Sequence, residues 1–320
     1  MRSAATIAAA LATILLGGCF TGIESTPRIG SDEVRRNHAS APSQEALYMN
    51  VLQAEAPRHW QPGQTRFRVD STARLSRIFT PASAQATEMD GRTLTFAGLT
   101  TATSLTGDTV ADVALVDRAG NTFYYRTTAT LTAIDTLSRL DIPFMVNESE
   151  VAMVDSLLRG SSLYVRTPLW YDGAGHPVGG LRHVEVIVDS VAVGNSTYPA
   201  AVYFTVADSV LAREAGIDSG DRRMLFMTTA STTAASRNFD KLFAFDNPRR
   251  RYPDIAPDKW EMIIRSRVTE GMSRDECRLA LGTPDEIVRI PTRGGMRESW
   301  TYSDGVYLVF DDGFLTRFRK

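Results

Sequence analysis

The residue types best suited to chemistry are sparse in this 320-residue chain, and their spacing does not build a catalytic site. Four histidines occur, His38, His59, His176 and His183. Only the last two stand near each other, and a loop separates them, so no metal site is expected. Gly160-Ser161-Ser162 reads as a turn entering a strand and lacks the flanking glycine pattern of a hydrolase elbow. Cys277 falls on the inward side of a capped helical segment, where a thiol serves as a small core hydrophobe. Asp311-Asp312 is turn chemistry, and no phosphate-binding loop, dinucleotide fingerprint or calcium-loop spacing occurs. These readings point to a chain that is not an enzyme and uses no cofactor.

One cysteine does carry a chemical consequence. Arg2, an apolar run from Ala4 to Leu16 and then small residues form the three parts of an export signal. A membrane-spanning helix needs about 20 apolar residues, more than this run supplies, so residues 1–18 are expected to be removed. Leu16-Gly17-Gly18-Cys19 places a small pair before a cysteine and reads as a lipobox, the alternative being a plain secretory signal with a cysteine nearby. The segment resembles those of bacterial lipoproteins. That resemblance implies that Cys19 becomes an N-terminal diacylglyceryl cysteine, acylated also on its amine. Two or more acyl chains hold a protein on a membrane stably where one does not. Phe20 rather than aspartate after the cysteine points to the outer membrane, with the body on the periplasmic side.

Composition fits a folded, exported body. Hydrophobic residues make up 43% of the chain and charged ones 22%, enough apolar surface for cores, and the net charge of -2 argues against a nucleic-acid partner. With Cys19 acylated, Cys277 has no partner for a disulfide.

The elements follow from local pattern. Residues 19–45 are rich in Ser, Thr, Pro and charge without periodicity and read as a flexible tether. From about residue 55 to 250 the pattern is β. Strands are predicted from Thr65 to Val69, Thr93 to Ala97, Val110 to Val116, Thr122 to Thr127, Ser162 to Thr167, Val184 to Val188, Ala201 to Val206 and Met224 to Thr228. A weak echo between Gly91-Arg92-Thr93-Leu94 and Gly160-Ser161-Ser162-Leu163 suggests two β modules, 46–142 and 143–247, the alternative being one larger β domain. Arg237 to Pro257 reads as connecting chain, with the linker proper at 248–257.

Residues 258–320 change character. Trp260, Ile263, Ile264, Arg267 and Val268 follow helical spacing as far as Gly271, and Ser273 and Glu276 form a capping box for a second helix ending at Gly282. Strands are predicted near 286–290, 298–302, 306–310 and 314–318, with Trp300, Tyr302, Leu308, Phe310, Phe314 and Phe318 roofing the helices as a two-layer sandwich.

Val268-Thr269-Glu270-Gly271-Met272-Ser273, Leu281-Gly282-Thr283-Pro284, Trp300-Thr301-Tyr302 and Phe310-Asp311-Asp312-Gly313 resemble the SmpA/OmlA (BamE-like) family of outer-membrane lipoproteins. The match spans about one fifth of the chain, in a protein much longer than that small domain. The middle modules are similar to small SH3-like barrels. The expected fold is therefore multidomain and mainly β, tandem SH3-like barrels followed by a C-terminal α+β sandwich. The resemblance implies a lipid-anchored component of outer-membrane assembly or maintenance that works by protein contacts. Its contact surface is expected at the edge and turns of the last sheet, near Gly294, Gly295 and Arg297. An alternative is a binder of peptidoglycan or another envelope glycan, with Trp170 and Tyr171 stacking on the ligand. For those two aromatics, core or rim packing is the simpler expectation.

Overall fold

The computed structural model describes residues 55–70, 79–80, 91–218, 220–229, 237–292 and 295–319. Cys19, the tether and Gly294 lie outside the described residues. The protein is mainly β, and its described strands form three antiparallel sheets.

The first sheet has the order β2-β5-β4-β3-β1-β6. Its strands are β1 (Arg66–Val69), β2 (Phe79–Thr80), β3 (Thr93–Thr103), β4 (Thr109–Val116), β5 (Thr122–Arg126) and β6 (Met145–Asn147). Period-2 patterning turns Phe67 and Val69 inward while Arg66 and Arg68 face water. Beneath them, Trp60, Leu94, Phe96, Val113, Leu115 and Phe123 close a core of their own. β4 is buried on both faces, and helix α1 (Leu131–Thr136), capped by Thr130, packs against β3 and β4.

The second sheet runs β13-β7-β10-β11-β12-β8-β9. It comprises β7 (Ser162–Val165), β8 (Leu169–Tyr171), β9 (Pro177–Gly179), β10 (Glu185–Val193), β11 (Ala200–Val206), β12 (Arg223–Met227) and β13 (Phe243–Ala244). Helix α2 (Glu148–Leu158) leaves the first sheet directly after β6 and packs on β10. Its buried Val151, Val154 and Leu158 lie on one helical stripe, and Asn147 caps it by accepting the Ser149 N–H at 2.9 Å. The shorter helices α3 (Ser209–Glu214) and α4 (Phe239–Leu242) complete this layer.

The C-terminal layer holds α5 (Pro257–Ile264), α6 (Arg274–Leu281) and a four-stranded meander. The strands are β14 (Glu286–Thr292), β15 (Gly295–Thr301), β16 (Tyr307–Asp311) and β17 (Phe314–Arg319). The capping box forms as expected: Ser273 Oγ accepts the Glu276 N–H at 3.2 Å, and the Ser273 N–H donates to Glu276 Oε2 at 2.6 Å. Lys259 Nζ donates to the same carboxylate at 3.2 Å and ties α5 to α6. Ser273→Ala is expected to cost about 1 kcal/mol, read as a lower thermal midpoint. An unchanged midpoint would show that the cap contributes nothing.

All eight strands predicted for the middle region are present, but three expectations need correction. Residues 237–247 are not connecting chain: Phe239, Leu242 and Phe243 are buried, and β13 is the edge of the second sheet. The first C-terminal helix stops at Ile264 rather than Gly271, because Ser266 adopts φ 53° and turns the chain away. Phe314 and Phe318 do not roof the helices. The register shift after Val309 leaves Thr316 unmatched in β17, so the buried residue there is Leu315, while both phenylalanines are exposed.

One hydrophobic cluster runs from Val146 to Leu315, so the second sheet and the C-terminal layer share a core. Their joint is made by Arg182 and His183. The Arg182 N–H donates to Ile264 O at 2.9 Å, and its guanidinium donates to Ser266 Oγ, Arg166 O and Leu281 O. His183 Nε2 lies 3.0 Å from Leu279 O. Burial is the main force pushing the imidazole pKa down to about 4, helped by the charges of Arg182 and Arg166, so the ring is neutral at neutral pH.

Candidate functional site

The outer face of the C-terminal sheet is the most distinctive surface of the described chain. Seven of the thirteen large hydrophobics exposed among the described residues lie on this one small sheet: Val288, Ile290, Tyr307 and Phe318 line a groove on its outer face, Phe314 stands opposite Asp311, and Ile287 and Met296 share the inner parity of Trp300 and Glu298. Single exposed hydrophobics are ordinary, whereas a cluster marks a binding surface.

Register explains the cluster. Val288 pairs with Ser299, Ser299 with Val309, and Val309 with Arg317, forming one cross-strand row on the outer face. The next row runs Ile290, Arg297 and Asp311. Together with Tyr307, Phe318 and Arg319, these residues other than Asp311 line a shallow groove of about 400 Å³. Apolar Val288, Ile290, Val309 and Phe318 and three arginines, Arg297, Arg317 and Arg319, share the groove, a composition that interfaces favour.

Arg297 is fixed rather than free. Its Nε donates to Asp311 Oδ1 at 2.7 Å, and this hydrogen bond holds the Asp311 carboxyl below the usual carboxylate range. Thr316 Oγ1 donates to the other oxygen of Asp311 at 3.2 Å. Gly295 begins β15 where no side chain fits: a Cβ there would fall 1.8 Å from Asp312 Oδ1, the oxygen that accepts the Met296 N–H. Of the three residues expected at a contact surface, Arg297 lies in the groove and Gly295 opens its strand, while Gly294 is outside the described residues.

The inner face of the same sheet is anchored by Glu298. Its carboxylate accepts Trp300 Nε1–H at 2.5 Å and Arg289 Nε–H at 2.9 Å, and Arg274 Nε stands 3.3 Å away. Trp300 is buried, with Arg278 stacked on its ring at 4.7 Å and Phe310 at 4.6 Å. This network holds the strand that presents Arg297.

Trp170 and Tyr171 are placed differently from a ligand-stacking pair. Trp170 has no exposed surface. Its Nε1–H donates to Thr167 O at 2.8 Å, its ring meets Phe204 edge-on at 5.2 Å, and the Gly180 backbone lies flat against the indole. Tyr171 packs against Phe226, while Arg237 lies over its ring at 5.2 Å and donates to its hydroxyl. The reason is topological. β8 is interior to the second sheet between β12 and β9, so one face of the strand must enter the core.

The remaining candidate groups have local partners. His176 sits 3.3 Å from Asp172 Oδ2 within an exposed turn. Cys277 is fully buried, and burial together with the Glu276 charge pushes its thiol up to about 12, far from a reactive thiolate. Among the described residues no three of His, Cys, Asp and Glu converge as a metal site.

The groove residues beyond Arg297 escape a pattern reading because β14 is apolar at both parities, at Ile287 and at Val288 and Ile290. Only the pairing register assigns the latter two to the groove. Comparison of the chain with protein-family models, with curated proteins and with solved structures finds no match.

Proposed function

We propose that this protein is a non-enzymatic, lipid-anchored component of the bacterial outer membrane, and that it binds a partner protein through the outer face of its C-terminal sheet. The observation that carries the reading is the concentration of exposed apolar side chains around Arg297, Arg317 and Arg319 on that face. The Leu16-Gly17-Gly18-Cys19 segment supports the anchor, and the BamE-like pattern of residues 268–313 supports a role in envelope assembly or maintenance.

Two measurements test it. Cys19→Ser is expected to shift the protein from the membrane fraction to the soluble fraction, whereas continued membrane association would remove the anchor from the proposal. Val309→Asp with Arg317→Glu introduces charge into the floor of the groove and reverses it at the margin. Purification from membranes in mild detergent is expected to recover an envelope component with the native chain and to lose it with the double variant. Recovery of the native protein alone, or of the same component with both forms, would sink the contact surface.

A further inference from the structure

We infer that the chain forms a two-fold dimer by pairing the β14 edge of one copy with the β14 edge of a second. An unpaired sheet edge offers a row of N–H and C=O groups to any strand that can approach, and proteins blunt such edges by shortening or covering them. At the edges of the two larger sheets stand β2, β6, β9 and β13, each only two or three residues long. At one edge of the C-terminal sheet, β17 is covered by the chain before α6: the Gly271 N–H donates to Leu315 O at 2.8 Å, the Leu315 N–H to Met272 O at 2.7 Å, and Ser273 bridges to Phe314.

β14, at the opposite edge, is seven residues long and pairs only with β15 among the described residues. Residues 286–291 are all exposed, including Ile287, Val288 and Ile290. The strand carries the exposed β-branched Ile287, Val288 and Ile290 among the charged Glu286 and Arg289 and Pro291, and its outward backbone groups are available for pairing. Pro291 lacks an N–H and is tolerated where that group would have pointed away from the sheet. By alternation, the outward backbone groups are then those of Ile287 and Arg289.

The strand is complementary to itself in the antiparallel sense. Asp285 and Glu286 stand at its start and Arg289 four and three residues on. Two-fold pairing centred on Ile287 sets Asp285 of each strand beside Arg289 of the other, which also donates to Glu298 of its own chain, and brings the two Ile287 side chains together. It closes the assembly, because each copy has one such edge. The two four-stranded meanders then become one eight-stranded sheet, and the grooves on their outer faces lie side by side. A seven-residue edge buries little surface, so association is in the weak range.

Sedimentation of the purified full-length chain in mild detergent tests this without reference to any other envelope protein. A concentration-dependent monomer–dimer equilibrium is expected, and Ile287→Pro, which removes an outward N–H, weakens it at least about tenfold. Oxidative cross-linking gives a second readout that tolerates partial loss of stability. Ile287→Cys, at the two-fold, yields a disulfide-linked dimer well above Leu105→Cys, whose fully exposed turn controls for random collision. A monomer at every concentration with cross-linking no higher than the control overturns the inference, and assigns the edge to a strand of another protein if to any. A dimer that Ile287→Pro leaves unchanged overturns it too, because the interface then lies elsewhere.

Discussion

Trp170→Ala is expected to lower the stability of the protein by about 3–5 kcal/mol, the range for removing a large aromatic from a packed core. A typical domain has only about 5–15 kcal/mol in hand, so the variant approaches the unfolding threshold. The indole is fully buried, its N–H is satisfied by Thr167 O, and Phe204 and the Gly180 backbone cover it. Gly180→Ala reaches the same contact from the other side: its Cβ would sit 2.1 Å from the ring, so either the tryptophan or the chain at 180 must move. Both variants are expected to shift the urea midpoint strongly downward. A Trp170→Ala protein with an unshifted midpoint and impaired sedimentation with purified cell wall would restore the stacking role and remove the core role.

The second large effect is at Glu298. Its removal strands a buried Trp300 N–H and two guanidinium groups, and Glu298→Ala is expected to cost about 3 kcal/mol. Burial alone would raise its pKa, but hydrogen bonds from Arg289 and Trp300 and the charges of Arg274 and Arg289 outweigh burial and hold it below its ordinary 4.5. A carboxyl held low in the folded state contributes stability that is complete above the ordinary pKa and is lost as pH falls through the folded value. His183 adds an earlier phase. Its neutral form is kept in the joint, so stability falls as pH drops from the ordinary 6.5 toward about 4, where the folded protein also takes up the proton. Urea midpoints of the native protein should therefore decline in two stages on acidification. Glu298→Gln is expected to flatten the stage below 4.5 and leave the other. Identical acid slopes for the two proteins would remove Glu298 as its source.

Local pattern carried far in this chain where each element obeys one periodicity. Alternation located the eight central strands, and the Ser273–Glu276 box located α6, because a cap is specified by side chains three residues apart. It failed where neighbours decide. The β pattern read from about residue 55 to 250 does not include α2, yet Asn147 caps it, and the helix exists because Val151, Val154 and Leu158 find β10 to pack on. Phe239, Leu242 and Phe243 sit in a stretch punctuated like a linker but fill the core beside β7. The one-residue irregularity at Thr316 reversed the expected facing of Phe314, a change no period-2 count detects.

The sequence by itself determined the predominance of strands and the capped helix before the last meander, since each depends on residues adjacent along the chain. Tertiary structure decided which aromatics are core, which strand edges are unpaired among the described residues and which face gathers the exposed apolar groups around Arg297. Those properties arise from pairing register and from contacts between residues as far as 126 positions apart, such as Ser196 with Asp70 and Arg182 with Leu281. A strand of alternating side chains has two faces, and only its neighbours determine which one meets water.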